Sequence, residues 1–300
     1  MLKIAFHPDY VLELPPGHRF PMEKYALITE QLLHEGTVSE EHFFEPDIAN
    51  VECIERVHHP EYVQKLKTLT LSRSEERATG FKQSEKLIQR EFRIMEGARK
   101  CAEYALENGI SMNIAGGTHH AYSNRGEGFC LLNDHAVAAQ WLLDQSLVQK
   151  VLILDLDVHQ GNGTAEIFRH TPEVITFSIH GEHNYPLHKE KSDIDIGLPD
   201  GTADQEYLTV LETQVSNVLT EESPDFIFYQ SGVDVLKTDK LGRLDLSMEG
   251  CKKRDEFVFT TARHHSIPVV CSMGGGYSPE IRTIIEAHAN TFRLAQHLFF

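Results

Sequence analysis

Four apolar runs in this chain are each followed at once by a polar or glycine-rich string, and that alternation constrains the fold more than any other feature. The strings are IAGGTHHA, LDLDVHQGNGT, YQSGVDVL and CSMGGGYS. Short runs rich in Val, Ile and Phe read as buried strands, and the longer amphipathic stretches between them read as helices. That alternation predicts an α/β domain with a mostly parallel central sheet and helices on both faces. In open parallel sheets, sites assemble at the carboxyl ends of the strands, so four distant strings are expected to meet in one crevice.

The expected strands are Leu2–Phe6, Ser111–Ala115, Val151–Leu156, Val174–Ile179, Asp225–Tyr229 and Ile267–Cys271. The expected helices include Met22–Glu35, Ser84–Asn108, Asn133–Gln145, Asp204–Thr220, Met248–His265 and Pro279–His297. In the second of these, Leu87, Ile88, Phe92, Met95 and Ala98 recur at helical spacing, and Asn108-Gly109 supplies a stop. Gly181–Pro199 shows no clear periodicity and is expected to be an ordered loop. No repeat, low-complexity segment or linker divides the sequence, so residues 1–300 read as a single domain.

Composition excludes several classes. No apolar run approaches a membrane span, and the start, MLKIAFHPDY, does not read as a signal peptide. The five cysteines are odd in number, scattered and without a CxxC pair, which fits a reducing compartment; a cytoplasmic location is expected. A net charge of −17 disfavours a nucleic-acid partner and would favour the approach of cationic substrates. With 18 histidines, position must separate the few that matter.

Asp157 and His159 stand one residue apart at the end of VLILDLD, and on an extended chain such residues project to the same side. Asp155 shares that side but lies deeper. Asp234, leaving another strand in SGVD, can supply a third ligand. Two carboxylates and an imidazole leave an open position, as in a catalytic zinc site, and their charge would neutralise a divalent ion. The oxygen-rich set also suits Fe²⁺ or Co²⁺. The competing reading of DxH is a strand-end cap or turn; the other three strings favour the metal.

His119-His120 follows the turn Gly116-Gly117. Adjacent histidines on an extended chain point apart, so each needs its own partner. A general base wants an imidazole near its ordinary pKa, oriented through its far nitrogen. Asp155 and Asn162 are the candidate orienters: an aspartate would favour imidazolium, a neutral asparagine would not. His58-His59, His264-His265, His180 and His183 read as structural, since none joins a complete set. Tyr277, after three glycines, can donate to a developing oxyanion, against the alternative that it covers core.

Together these residues resemble the histone deacetylase superfamily, particularly its small class IV-like and bacterial branch, over nearly the whole chain. PGHRFPMEKY, GGTHHA, GEGFCLLND, DLDVHQGNGT, SGVD and GGGY carry the resemblance in order. It implies the arginase/deacetylase type of fold and a zinc-dependent removal of an acetyl or longer acyl group from a lysine-like or polyamine amine. By resemblance, Asp157, His159 and Asp234 are the zinc ligands. His120 is the general base, oriented by Asn162; His119 is its companion, bonded to Asp155; Tyr277 polarises the acyl carbonyl. Gly128, Phe129, Tyr185 and Gly275 look like substrate-binding positions, and Arg19 like the arginine of the inner product cavity. A structural K⁺ is implied at Asp155, Asp157, His159, Ser178 and Ile179. Asn162 stands where class I enzymes carry Asp, although several other branches carry Asn. The partner expected is an acylated lysine peptide or protein, or a small acylated amine. Two other readings are weighed: an arginase-like ureohydrolase with two metals, and a binding protein for acyl-lysine that does not cleave it.

Overall fold

The computed structural model describes residues 1–300. Its strands are β1 (Lys3–Ala5), β2 (Phe43–Phe44), β3 (Ile110–Asn113), β4 (Val151–Asp155), β5 (Val174–Gly181), β6 (Ile194–Leu198), β7 (Phe226–Gln230) and β8 (Val269–Ser272). They form one parallel sheet in the order β2-β1-β3-β8-β7-β4-β5-β6. Every residue of β3, β4, β5, β7 and β8 is buried, which is why their sequences run apolar without alternation.

The helices are α1 (Lys24–His34), α2 (Val51–Ile54), α3 (Pro60–Thr68), α4 (Arg73–Thr79), α5 (Glu85–Asn108), α6 (Asp134–Asp144), α7 (Asn162–Phe168), α8 (Asp204–Glu222), α9 (Met248–His264) and α10 (Ile281–Phe299). All six expected helices are present, with ends moved by a residue or two. Ser84 caps α5 through Leu87 N, and Gly109 closes it in the left-handed region. Asn133 caps α6 and Ser247 caps α9 in the same way. α5 and α6 pack together on the β1-β3-β8 side, while α10 lies with α9 and α1 in a second layer. One continuous apolar cluster of 79 buried residues runs between the layers, so there is no internal seam to divide the chain. No helix is long and apolar enough to cross a membrane.

One expectation needs correcting. Gly181–Pro199 is not wholly a loop: β5 runs on to Gly181, and Ile194–Leu198 forms the edge strand β6. Ile194, Ile196 and Leu198 alternate with more exposed residues, a period-two signal only five residues long. Pairing with β5 alone stabilises this strand, and so short a pattern has little weight by itself.

Candidate active site

The four strings converge at the carboxyl ends of β3, β4, β7 and β8, which lie side by side. Asp157, His159 and Asp234 bring one ligand atom each within 4.8 Å of one another, all three buried. Backbone amides aim the carboxylates. Val158 N donates to Asp234 Oδ1 (3.0 Å), His159 N to Asp157 Oδ1 (3.0 Å) and Gly275 N to Asp157 Oδ2 (2.8 Å). Gly275 has a steric reason to lack a side chain, because a Cβ there would overlap the carboxylate of Asp234. His159 Nδ1 lies 3.1 Å from both Asp157 Oδ1 and Asp234 Oδ2.

The donor set fits a divalent cation on the protein's own chemistry. Burial and the charge of Asp157 push the Asp234 carboxyl up to about 7. Burial works against a charged His159, but hydrogen bonds to Asp157 and Asp234 outweigh it and lift the imidazole to about 10. A cluster that draws protons this strongly is short of positive charge, which one divalent ion would supply. The other carboxylates at hand are committed elsewhere. Asp155 Oδ2 bonds His119 and its Oδ1 takes the amide of Asp157. Asp239 accepts from the amides of Tyr277 (2.6 Å), Leu241 (2.8 Å) and Gly242 (3.0 Å). The three-residue cluster offers the ligands for one ion.

The two histidines each have a partner. His119 Nδ1 lies 2.6 Å from Asp155 Oδ2, and His120 Nδ1 lies 2.6 Å from Asn162 Oδ1. The extended-chain reasoning fails here, however. The backbone turns at 119–120 and the rings lie side by side, centroids 4.0 Å apart. Burial opposes charge on His119, yet Asp155 and Asp157 prevail and hold it above its ordinary value. Burial, reinforced by His119 and His159, holds His120 well below its own. The two imidazoles are thereby shifted in opposite directions, His119 toward the charged form and His120 toward the neutral one.

Arg19, Gly128, Phe129 and Tyr185 line a groove of about 420 Å³ together with His120, His159 and Tyr277. Gly128 and Phe129 are hung from the end of α4 by bonds from their amides to Ala78 O and Thr79 O. Both take positive φ, 53° and 69°. A Cβ at Gly128 would press on the His120 ring at 2.7 Å, so only glycine fits against that ring. Tyr185 meets His120 edge-on, centroids 4.9 Å apart, and its hydroxyl donates to Glu127 (2.6 Å). Gly275 lines a small inner cavity of about 30 Å³ rather than the groove. Ser178 pairs with Asp155 across β4 and β5, so these two of the residues implied for a monovalent ion are neighbours.

Arg19 is the clear displacement. It is exposed and lines the outer groove, whereas the inner cavity is lined by Arg90. Lys24, fully buried, donates to Gly274 O at 2.9 Å. Arg19 lies in the irregular segment before α1, where no periodicity fixes which way a side chain points.

Sequence reasoning also missed the groups that hold the strings. Asp134, at the start of α6, accepts from Gly117 N, Thr118 N, Thr118 Oγ1 and Ser272 Oγ, fixing the histidine turn. Arg254, fully buried, donates to the carbonyls of Leu156, Ser231 and Gly232 and pairs with Asp255. The second Asp of SGVDVLKTD was a visible signal for Asp239; nothing marked Arg254. His58 is buried between Tyr122 O and Asn133 N, and His180 bonds Ser178 Oγ.

Fold and site together define a single-domain α/β protein with a buried Asp–His–Asp centre served by an oriented histidine pair. The family model described as "Histone deacetylase domain" matches residues 18–292, and the chain belongs to that family. An uncharacterised protein of Picosynechococcus is 40% identical over 99% of both chains. "Histone deacetylase 2" of Arabidopsis thaliana is 30% identical over 89% of this chain and 72% of its own. The "Probable deacetylase" of Archaeoglobus fulgidus is 32% identical over 92% and 81%. The crystal structure of the HDA15 HD domain shares the fold, with a TM-score of 0.83 at 21% identity, covering 99% of this chain and 88% of that one. Membership and these relatives support a deacetylase activity, hence a hydrolase.

Proposed function

We propose that the protein is a metal-dependent deacylase that uses water to remove an acetyl or longer acyl group from a primary amine on a narrow stem. The observation that carries this reading is His120. It is buried, oriented by Asn162 and disposed to be neutral, and it shares the base of the groove with Tyr277 and the ligand His159.

A divalent ion held by Asp157, His159 and Asp234, with zinc preferred and Fe²⁺ or Co²⁺ also suited, would polarise the acyl carbonyl and lower the pKa of water toward about 7. His120 donates from Nδ1–H to Asn162, so its Nε2 is the acceptor available to a water attacking the carbonyl. The proton taken there is returned to the leaving amine. His119, whose charged form Asp155 favours against the opposing effect of burial, would add positive potential beside the developing oxyanion. Tyr277 donates its hydroxyl to that oxygen; burial pushes the phenol well above its ordinary pKa, so it stays protonated at the pH of turnover. Phe129 and Tyr185 offer flat walls to a methylene stem such as that of lysine. A structural K⁺ at Asp155, with carbonyls of Asp157, His159, Ser178 and Ile179, is part of the proposal, as is a cytoplasmic setting for a chain whose five cysteines are all free.

Acetate release from an acetyl-lysine peptide tests the reading. It should occur, stop on chelation and return with metal. Binding without release would instead point to an acyl-lysine binding protein.

A further inference from the structure

The mouth of the groove runs against the charge of the molecule. The chain has 45 acidic and 28 basic residues, yet the groove is lined by Arg19, Arg77 and Arg243 with His183, and by no carboxylate. Arg243 and His183 share Asp200, at 3.1 and 3.2 Å. Glu127, behind Tyr185, is taken up by Arg125 and by the Tyr185 hydroxyl. Glu23 and Lys240, one of each sign, lie with Arg19 in the adjoining hollow. Arg19 and Arg77 are exposed and join none of the ion pairs of the protein. Each presents a planar fork of donors matched to a carboxylate.

We infer that this mouth selects acylated amines whose distal part is anionic: an acyl-lysine with acidic neighbours, in preference to a basic tail or a polyamine. The inference rests on the deacylase reading and narrows it. A lysine stem lying between Phe129 and Tyr185 leaves its backbone and flanking residues among the arginines. Acidic flanks there gain charge-assisted hydrogen bonds. Basic flanks meet like charge, which discriminates by repulsion as well as attraction. Leu187, 86% exposed at the same mouth, gives the flanking chain an apolar contact. The overall charge of −17 would have pointed to cationic substrates; the local field at the opening is the one a bound substrate meets.

The test uses end-capped acetyl-lysine peptides that differ only in having Glu, Ser or Lys on both sides, together with free acetyl-lysine and an acetylpolyamine. At low ionic strength kcat/KM should fall in the order Glu, Ser, Lys, with about tenfold or more between the extremes. The ratio should shrink in about 0.5 M salt, where screening is strong. Arg19→Glu combined with Arg77→Glu should reverse the order; because the readout is a ratio, a loss of folded protein does not mimic it. Fluorescence anisotropy of labelled peptides on the metal-loaded protein should rank them alike. A Glu-to-Lys ratio of one or less in the unaltered protein, or a ratio that the double substitution leaves alone, overturns the inference. Free acetyl-lysine outrunning the Glu peptide would place the anion on a small molecule, contradicting the peptide assignment. If no peptide is turned over, the deacylase reading fails, while the anisotropy ranking still decides the charge preference.

Discussion

Beneath the base of the groove Asp155, Asp157 and Asp234 are each 3% exposed or less, and every one accepts a backbone amide. At its mouth Arg19, Arg77 and Arg243 are exposed, and of the three only Arg243 has an ion-pair partner. The base is negative, closed and fixed from several directions; the mouth is positive, open and lightly held. A centre that must hold an ion and a proton in register gains from preorganised dipoles, which need no rearrangement as charge develops. A surface that meets flanking segments of varied shape gains more from long, mobile guanidinium groups. On the proposed reading, the chemistry would be specified at the base and the choice of substrate at the mouth.

The contrast is broken most severely by removing the ion. Chelation should take acetyl-lysine hydrolysis to background and lower Tm, because the buried carboxylates then lose their counter-charge. Elemental analysis should find one ion per chain at the centre; two transition-metal ions would restore the ureohydrolase reading. His120→Ala comes next, with kcat falling by about 10²–10⁴-fold while bound metal is retained. Near-normal turnover in that variant would remove His120 as the base. Tyr277→Phe should lower kcat by about 10²–10³-fold and leave KM nearly unchanged. Asn162→Asp acts through pH. A carboxylate at Nδ1 stabilises the imidazolium of His120, and the base works only when neutral, so the acidic limb of the kcat/KM profile should move to higher pH. A limb that stays in place would mean that Asn162 does not set the protonation of His120. Smallest is Tyr185→Phe, at the mouth: one partly exposed hydrogen bond contributes about 0.5–1.5 kcal/mol, so kcat/KM should change by about tenfold or less.

Much of the base was legible because it is written in local pattern. Asp157 and His159 follow a buried apolar strand at a spacing of two, Gly116-Gly117 precedes the histidine pair, and three glycines precede Tyr277. Each string ends a strand of the parallel sheet, so recognising the strands placed the residues. The groups that brace those strings were harder to see, because each acts across a gap in sequence. Asp134 holds Ser272, 138 residues away, and Lys24 reaches Gly274 across 250. The mouth was least legible. Arg19, Arg77 and Arg243 come from three separate segments, and nothing in any one of them shows that they face the same hollow.

Sequence alone determined the parallel α/β architecture, the glycine stop of α5 and which residues are candidates for metal and acid–base chemistry. Those follow from short-range rules: side-chain periodicity, glycine at turns, and the donor atoms each residue carries. Tertiary structure alone decided that Arg19 faces outward and Arg90 lines the inner cavity, that the two histidine rings lie side by side, and that an acidic chain opens its groove among arginines. These depend on which distant surfaces pack together. Burial and through-space charge are properties of the folded arrangement, not of any local stretch of chain.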